Sequence, residues 1–167
     1  MSKDKIHPKV GIGHVHLSVS DLDRSLLFYR DLLGFEITTR YGDSAVFLSA
    51  GGYHHHIGLN TWAGKGATPP AQGHSGLFHF AILYPSRKEL AKVLKKLIDA
   101  KYPLTGASDH GVSEALYLED PDRIGVELYA DRPKSKWKVK NDGQVEMVTE
   151  SLDIKNLLKE LDSSDTL

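Results

Sequence analysis

Three residues carry most of the chemistry open to this chain: His14, His79 and Glu127. Two neutral imidazoles and one carboxylate suit Fe(II), Mn(II), Ni(II) or Zn(II), and three protein ligands leave positions for a substrate and for O2 or water. A facial set of two histidines and a carboxylate with open positions is typical of non-haem Fe(II) oxygenases. The 167-residue chain has no cysteine, which excludes disulfides, thiolate zinc sites and cysteine nucleophiles. Any metal must therefore be held by nitrogen and oxygen. The competing reading of the three residues is a polar set in a solvated cleft that binds no metal.

The elements that must position them can be read from periodicity. Residues 10–19, VGIGHVHLSV, form a strand in which Val15, Leu17 and Val19 alternate with His14, His16 and Ser18. Asp21 caps a helix whose apolar residues run at helical spacing to Leu33, with Gly34 closing it. Strands follow at Phe35–Tyr41, Ala45–Ser49 and Tyr53–Trp62. Residues 63–75, rich in Gly, Pro and Ala, read as a linker. The pattern then restarts. Leu77–Tyr84 is a strand, and Ser86 caps a helix to about Ala100 with Leu90, Val93, Leu94, Leu97 and Ile98 on one face. Pro103–Ser108, Ala115–Glu119 and Gly125–Ala130 are the remaining strands.

Strand–helix–strand–strand–strand thus occurs twice, over 10–62 and 76–133, after a tail at 1–9. Each copy alone is too small to bury a good core. The expected fold is α+β: two paired βαβββ modules forming a curved mixed sheet around a cavity. The segment 134–167 is a polar tail, irregular at first, with helical spacing only in IKNLLKEL. A helix of that length is marginal alone, so the segment is docked, disordered or a partner-binding element.

Alternation sorts side chains between the two faces of each sheet. His14, His16, His54, His56, Asn60, His79, Glu127 and Tyr129 fall on the cavity side, and His55 on the helix side. The repeat supplies a second route. The helix cap lies seven residues after His14 (Asp21) and seven after His79 (Ser86), so the two histidines are equivalent. Aligning HHIGL with VELYA makes His56 equivalent to Glu127 and a fourth candidate at the site. His110, in a Gly/Ser-rich loop, and His56 are the candidates for moving protons, since imidazole titrates near neutral pH. The alternatives are a turn-capping role for His110 and a solvent-facing histidine-rich turn for His54–His56. His16, Asn60, Trp62 and Tyr129 are candidates to line a substrate pocket; Trp62 equally suits the core.

Composition narrows the partners. With 21 basic and 22 acidic residues there is no electrostatic footprint for nucleic acid or anionic lipid. No apolar run approaches the roughly 18 residues of a membrane helix. The start, MSKDKIHPKV, lacks the apolar stretch of a signal peptide, so the expected location is cytoplasmic.

GHVHLSVSDLDRSLLFYRDLLGF, FHFAI and DPDRIGVELYADRP resemble the module boundaries of vicinal oxygen chelate proteins, the glyoxalase, bleomycin resistance and extradiol dioxygenase superfamily. With YHHHIGLNTW and SDHGVSEALYLEDPD, the chain is similar over about 10–133 to the N-terminal half of bacterial catechol 2,3-dioxygenase-like proteins, which are about twice as long and have four modules. The resemblance implies a His, His, Glu metal triad at His14, His79 and Glu127. It implies an Fe(II)-dependent extradiol-type dioxygenase acting on a catechol-like or other oxygen-chelating small molecule, with a homodimer compatible with the fold. It also admits a glyoxalase-like isomerase or lyase using Ni(II) or Zn(II), and a non-catalytic small-molecule-binding protein. Glyoxalase I members carry a carboxylate where this chain has His56.

Overall fold

The computed structural model describes residues 5–71 and 73–162. Residues 1–4, 72 and 163–167, parts of the expected N-terminal tail, linker and C-terminal tail, lie outside the described residues. The chain divides into two compact units, Met1–Thr68 and Pro69–Leu167.

In the first unit β1 (Val15–Ser18) leads to α1 (Leu22–Leu26), then β2 (Glu36–Tyr41), β3 (Ala45–Ser49) and β4 (Ile57–Asn60). Asp21 starts the helix by accepting a hydrogen bond from the Arg24 N–H at 2.9 Å. The periodicity predicts one regular α-helix to Leu33. Instead, the helix widens into a π-helical stretch over Leu27–Leu32. The wider turn brings the adjacent Phe28 and Tyr29 into the core and leaves Leu27 exposed. Gly34, at φ +91°, ends the helix, a conformation that a Cβ would strain. The sheet order is β1–β4–β3–β2, with β1 and β4 parallel and the other pairs antiparallel.

In the second unit β5 (Phe80–Tyr84) leads to α2 (Arg87–Asp99), β6 (Gly106–Asp109), β7 (Ser113–Glu119) and β8 (Gly125–Asp131). Ser86 caps α2 by accepting from the Glu89 N–H. Leu90, Ala91, Val93, Leu94 and Leu97 are buried, whereas Ile98, expected on the same face, is 47% exposed. Position 98 is rotated about 100° from 97 and leaves the apolar stripe. β5 and β8 pair in parallel, and β8–β7 and β7–β6 antiparallel.

The C-terminal segment is docked, which selects among its expected states. A two-residue strand, β9 (Glu150–Ser151), extends the sheet to the order β5–β8–β7–β6–β9. The short α3 (Ile154–Leu158) then packs on α2 and buries Leu157 completely. Burial of that apolar side chain supplies what the short helix lacks alone. Arg87 fastens it by donating to Glu160 and Asn156, and on its other side to the buried Glu114. Among the described residues no helix is long and apolar enough to cross a membrane.

Candidate active site

In the second unit the parallel pairing of β5 with β8 sets Ala81 beside Glu127 and Phe80 beside Val126. His79, just ahead of β5, therefore stands next to Gly125. The glycine is required there: a Cβ at 125 would lie 2.2 Å from the Phe78 carbonyl oxygen and 3.1 Å from the His79 Cβ. Val126, Leu128 and Ala130 are buried, which turns Glu127 and Tyr129 to the opposite face. Both His79 and Glu127 thus reach one face, and His79 Nε2 lies 2.9 Å from Glu127 Oε2.

Those two atoms suit a shared cation. Two donors about 2.0–2.2 Å from one ion at a right angle are about 3 Å apart. Among the described residues the remaining imidazole nitrogen, the buried His79 Nδ1, finds no hydrogen-bond partner. A ring that ligates an ion through Nε2 is neutral and carries its hydrogen on Nδ1. A neutral imidazole beside a carboxylate fits Fe(II), Mn(II), Zn(II) or Ni(II). Among the described residues no three histidine, aspartate or glutamate side chains come together closely enough to hold an ion.

Glu127 is joined to two further groups. Antiparallel pairing sets Tyr117 directly across from it, and the phenol lies 3.2 Å from Glu127 Oε1. The same phenol lies 2.7 Å from His110 Nε2, and His110 Nδ1 lies 2.8 Å from the Val148 carbonyl oxygen. A carbonyl only accepts, so Nδ1 carries the hydrogen and Nε2 of the neutral ring is an acceptor. The phenol then donates to His110, and its bond to Glu127 is complete only when His110 or Glu127 holds one more proton. Burial, then the charge of Glu127 and the hydrogen bond to it, push the Tyr117 hydroxyl up to about 12. It stays a protonated donor at neutral pH.

Sequence reasoning passed over Tyr117. The signal was present: Leu116 and Leu118 are buried, so alternation along β7 turns Tyr117 to the face of Glu127. Tyr129, two residues beyond Glu127, shares that face. Burial, the charge of Asp131 and the charge of Glu127, in that order, hold its hydroxyl above the usual tyrosine value.

The first unit holds the other candidates. The His14 ring packs 4.3 Å from that of His55, which also contacts Phe47. Burial first, then the neighbouring histidines, lowers the His55 pKa. His54 and His55 face each other through Nδ1 atoms 2.7 Å apart. His56 Nδ1 accepts from the Ala50 N–H and faces the Ser49 hydroxyl, which ties the ring to the β3–β4 connection. His16 lies over Gly58, where a Cβ would come within 2.8 Å of its ring. Asn60 is buried and accepts from the Trp62 N–H. Trp62 itself is 60% exposed, against the core alternative, and donates from Nε1 to Ser44.

A cleft of about 380 Å³ opens beside His79 and Tyr117, bounded further by Phe78, Gly106, Glu119 and Arg123.

Comparison with known proteins adds to this geometry. The model of the Glyoxalase/Bleomycin resistance protein/Dioxygenase superfamily matches residues 11–128. The chain is 41% identical over 155 residues to a protein of Bacillus subtilis (strain 168) named catechol-2,3-dioxygenase, covering 93% of this chain and 53% of that protein. It is 30% identical over 121 residues to biphenyl-2,3-diol 1,2-dioxygenase 3 of Rhodococcus globerulus, covering 72% and 63% respectively. The chain thus spans between half and two thirds of the length of these relatives. The crystal structure of lactoylglutathione lyase from Agrobacterium tumefaciens superposes with a TM-score of 0.58 at 21% identity, over 74% of this chain and 96% of that one, a likeness of fold.

Proposed function

The chain belongs to the Glyoxalase/Bleomycin resistance protein/Dioxygenase superfamily, and from that premise we propose that it is a metal-dependent extradiol-type dioxygenase for a catechol-like small molecule. The observation that carries the reading is the His79–Glu127 pair, 2.9 Å apart, with Tyr117 and His110 aligned behind it. The similarity to two proteins named as dioxygenases of aromatic diols supports it.

In this reading His79 and Glu127 supply two of the ion's ligands, and His14 is the proposed third. Fe(II) is preferred, with Mn(II), Ni(II) and Zn(II) as alternatives. When bound, such an ion acidifies a vicinal hydroxyl and, as Fe(II), supplies the redox partner that O2 requires. The protein's own groups do the rest. Tyr117 holds a proton at its phenolic oxygen beside the site, and His110 Nε2 is positioned to receive it. The Val148 carbonyl holds the His110 ring in the tautomer that makes this acceptor available. His56 is the second candidate for moving protons, and the β3–β4 connection holds its ring through Nδ1.

Metal analysis of protein purified anaerobically, followed by O2 uptake with a panel of catechols, tests the proposal. The expected result is about one equivalent of metal and O2 consumption matched by ring-cleaved product. Fe(II)-loaded protein that neither binds catechols nor consumes O2 with them sinks it. Turnover of an oxygen-chelating substrate without O2 would replace it with the isomerase or lyase reading.

A further inference from the structure

The cleft beside His79 and Tyr117 holds two features that neither metal binding nor proton transfer requires. Phe78 stands at its wall with 88% of its surface exposed. A large aromatic ring left in water at the edge of a cleft offers a stacking face. Gly106 lines the same cleft. A Cβ there would sit 3.7 Å from the Tyr117 ring, an ordinary contact, so sterics alone do not demand glycine at that position.

The second feature is Arg123, in the turn between β7 and β8. Its φ is +65°, the left-handed region that disfavours any residue with a Cβ. The turn is held from several sides. Asp120 Oδ1 accepts from the N–H groups of Asp122 and Ile124, and the Arg123 N–H donates to the Asp120 carbonyl. A strained arginine on a rigid turn is an observation from which a function can be argued. Its ion pair with Glu119, at 3.9 Å between exposed side chains, is at the limit of such contacts and contributes little.

The spacing suits one ligand class. Glu127 pairs with Tyr117, and Gly125 with Glu119, at the mouth of the turn that carries Arg123. Two residues along a strand span about 7 Å, comparable to a substituted benzene ring. A ring with its oxygens at the Tyr117 and His79 end would turn its opposite substituent toward Arg123, which lines the same cleft. Arginine pairs with a carboxylate through two parallel hydrogen bonds, which fixes orientation as well as charge. We propose that the cleft takes an aromatic ligand bearing a carboxylate, its ring against Phe78 and its acidic group on Arg123. The oxygen end of the ligand rests on the dioxygenase reading; the acidic end does not.

Benzoate tests the acidic end alone, because it has the ring and the carboxylate but no vicinal oxygens. It is titrated into the metal-free full-length chain and followed by amide chemical shifts, with phenol as the neutral control. The expected result is benzoate-induced shifts at Phe78, Gly106 and Gly125, weakened about tenfold in Arg123→Gln and Arg123→Gly, with phenol binding unchanged. Arg123→Gly also relieves the backbone, so its melting temperature should hold or rise, which separates lost binding from lost folding. Equal benzoate affinity in wild type and both variants overturns the proposal, as does the absence of binding or a response elsewhere on the surface. The two readings fail separately. Benzoate binding without catechol turnover removes the dioxygenase reading only. Catechol turnover with no preference for 3,4-dihydroxybenzoate over catechol, in wild type and variants alike, removes the carboxylate site only.

Discussion

His110 donates its Nδ1 hydrogen to the Val148 carbonyl oxygen at 2.8 Å, across 38 residues of chain. The contact ties the β6–β7 turn to the C-terminal segment, and the Val148 N–H returns a bond to the His110 carbonyl at 3.2 Å. Although the similarity to the Bacillus subtilis protein spans 155 residues, the match to the family model ends at residue 128. A group beyond that limit therefore sets which nitrogen of His110 faces Tyr117.

Two amide replacements separate the roles of the two ring nitrogens. Asn at position 110 can keep a donor near the Nδ1 position, whereas Gln reaches toward the Nε2 position. His110→Asn should retain the bond to Val148 and most of the stability. His110→Ala should cost about 1–3 kcal/mol by leaving a carbonyl and a phenol unsatisfied. Nitrogen-15 spectra of the wild-type imidazole should show the hydrogen on Nδ1; finding it on Nε2 would overturn the assignment.

Gly125→Ala should destabilise the second unit by about 1–3 kcal/mol, because the added methyl meets backbone at Phe78 rather than a movable side chain. The same methyl crowds His79, so metal retention should fall in parallel. Denaturant unfolding and metal content of one preparation check both effects.

Tyr117→Phe removes the hydroxyl beside Glu127 Oε1 without changing ring packing. Loss of such an outer partner should weaken metal affinity about 10- to 100-fold, read by chelator competition. His56→Ala should leave metal content unchanged. A variant at position 56 that loses its metal would promote His56 to a ligand.

Asp109 predicts an acid sensitivity. Burial by itself would raise its pKa, but the Gly111 N–H and the Arg132 guanidinium outweigh that and hold it below the ordinary 3.8. A depressed carboxylate contributes stability that is complete above its unfolded value. That contribution is lost as pH falls through the lower folded value. The melting-temperature gap between wild type and Asp109→Asn should therefore be constant above about pH 5 and close below about pH 4.

Leu157→Ala should cost about 2–5 kcal/mol, the range for emptying a fully buried leucine position. If α3 lifts from α2 as a result, Val148 loses its anchor. The His110 nitrogen-15 signal should then show exchange between tautomers while the sheet amides stay protected.

Much of the fold and part of the site were legible in the residues themselves. The two βαβββ orders follow from period-2 and helical spacing, and the caps at Asp21 and Ser86 stand where expected. Alternation alone places Glu127 opposite the buried Val126 and Leu128. The π-helical widening after Leu26 was not legible, because it depends on which neighbours Phe28 and Tyr29 find in the core.

What the sequence by itself determined is the set of faces: a strand repeats every two residues, so one buried side chain assigns all the others. It did not determine which facing residues touch. The 2.9 Å approach of His79 to Glu127 needs the parallel register of β5 on β8 and the missing Cβ at Gly125. The chain from Val148 through His110 to Tyr117 needs a C-terminal segment that looked irregular and becomes ordered by burying Leu157 and pairing with Arg87. Tertiary structure decided these contacts because they join residues distant in sequence, whose meeting depends on packing and not on local periodicity.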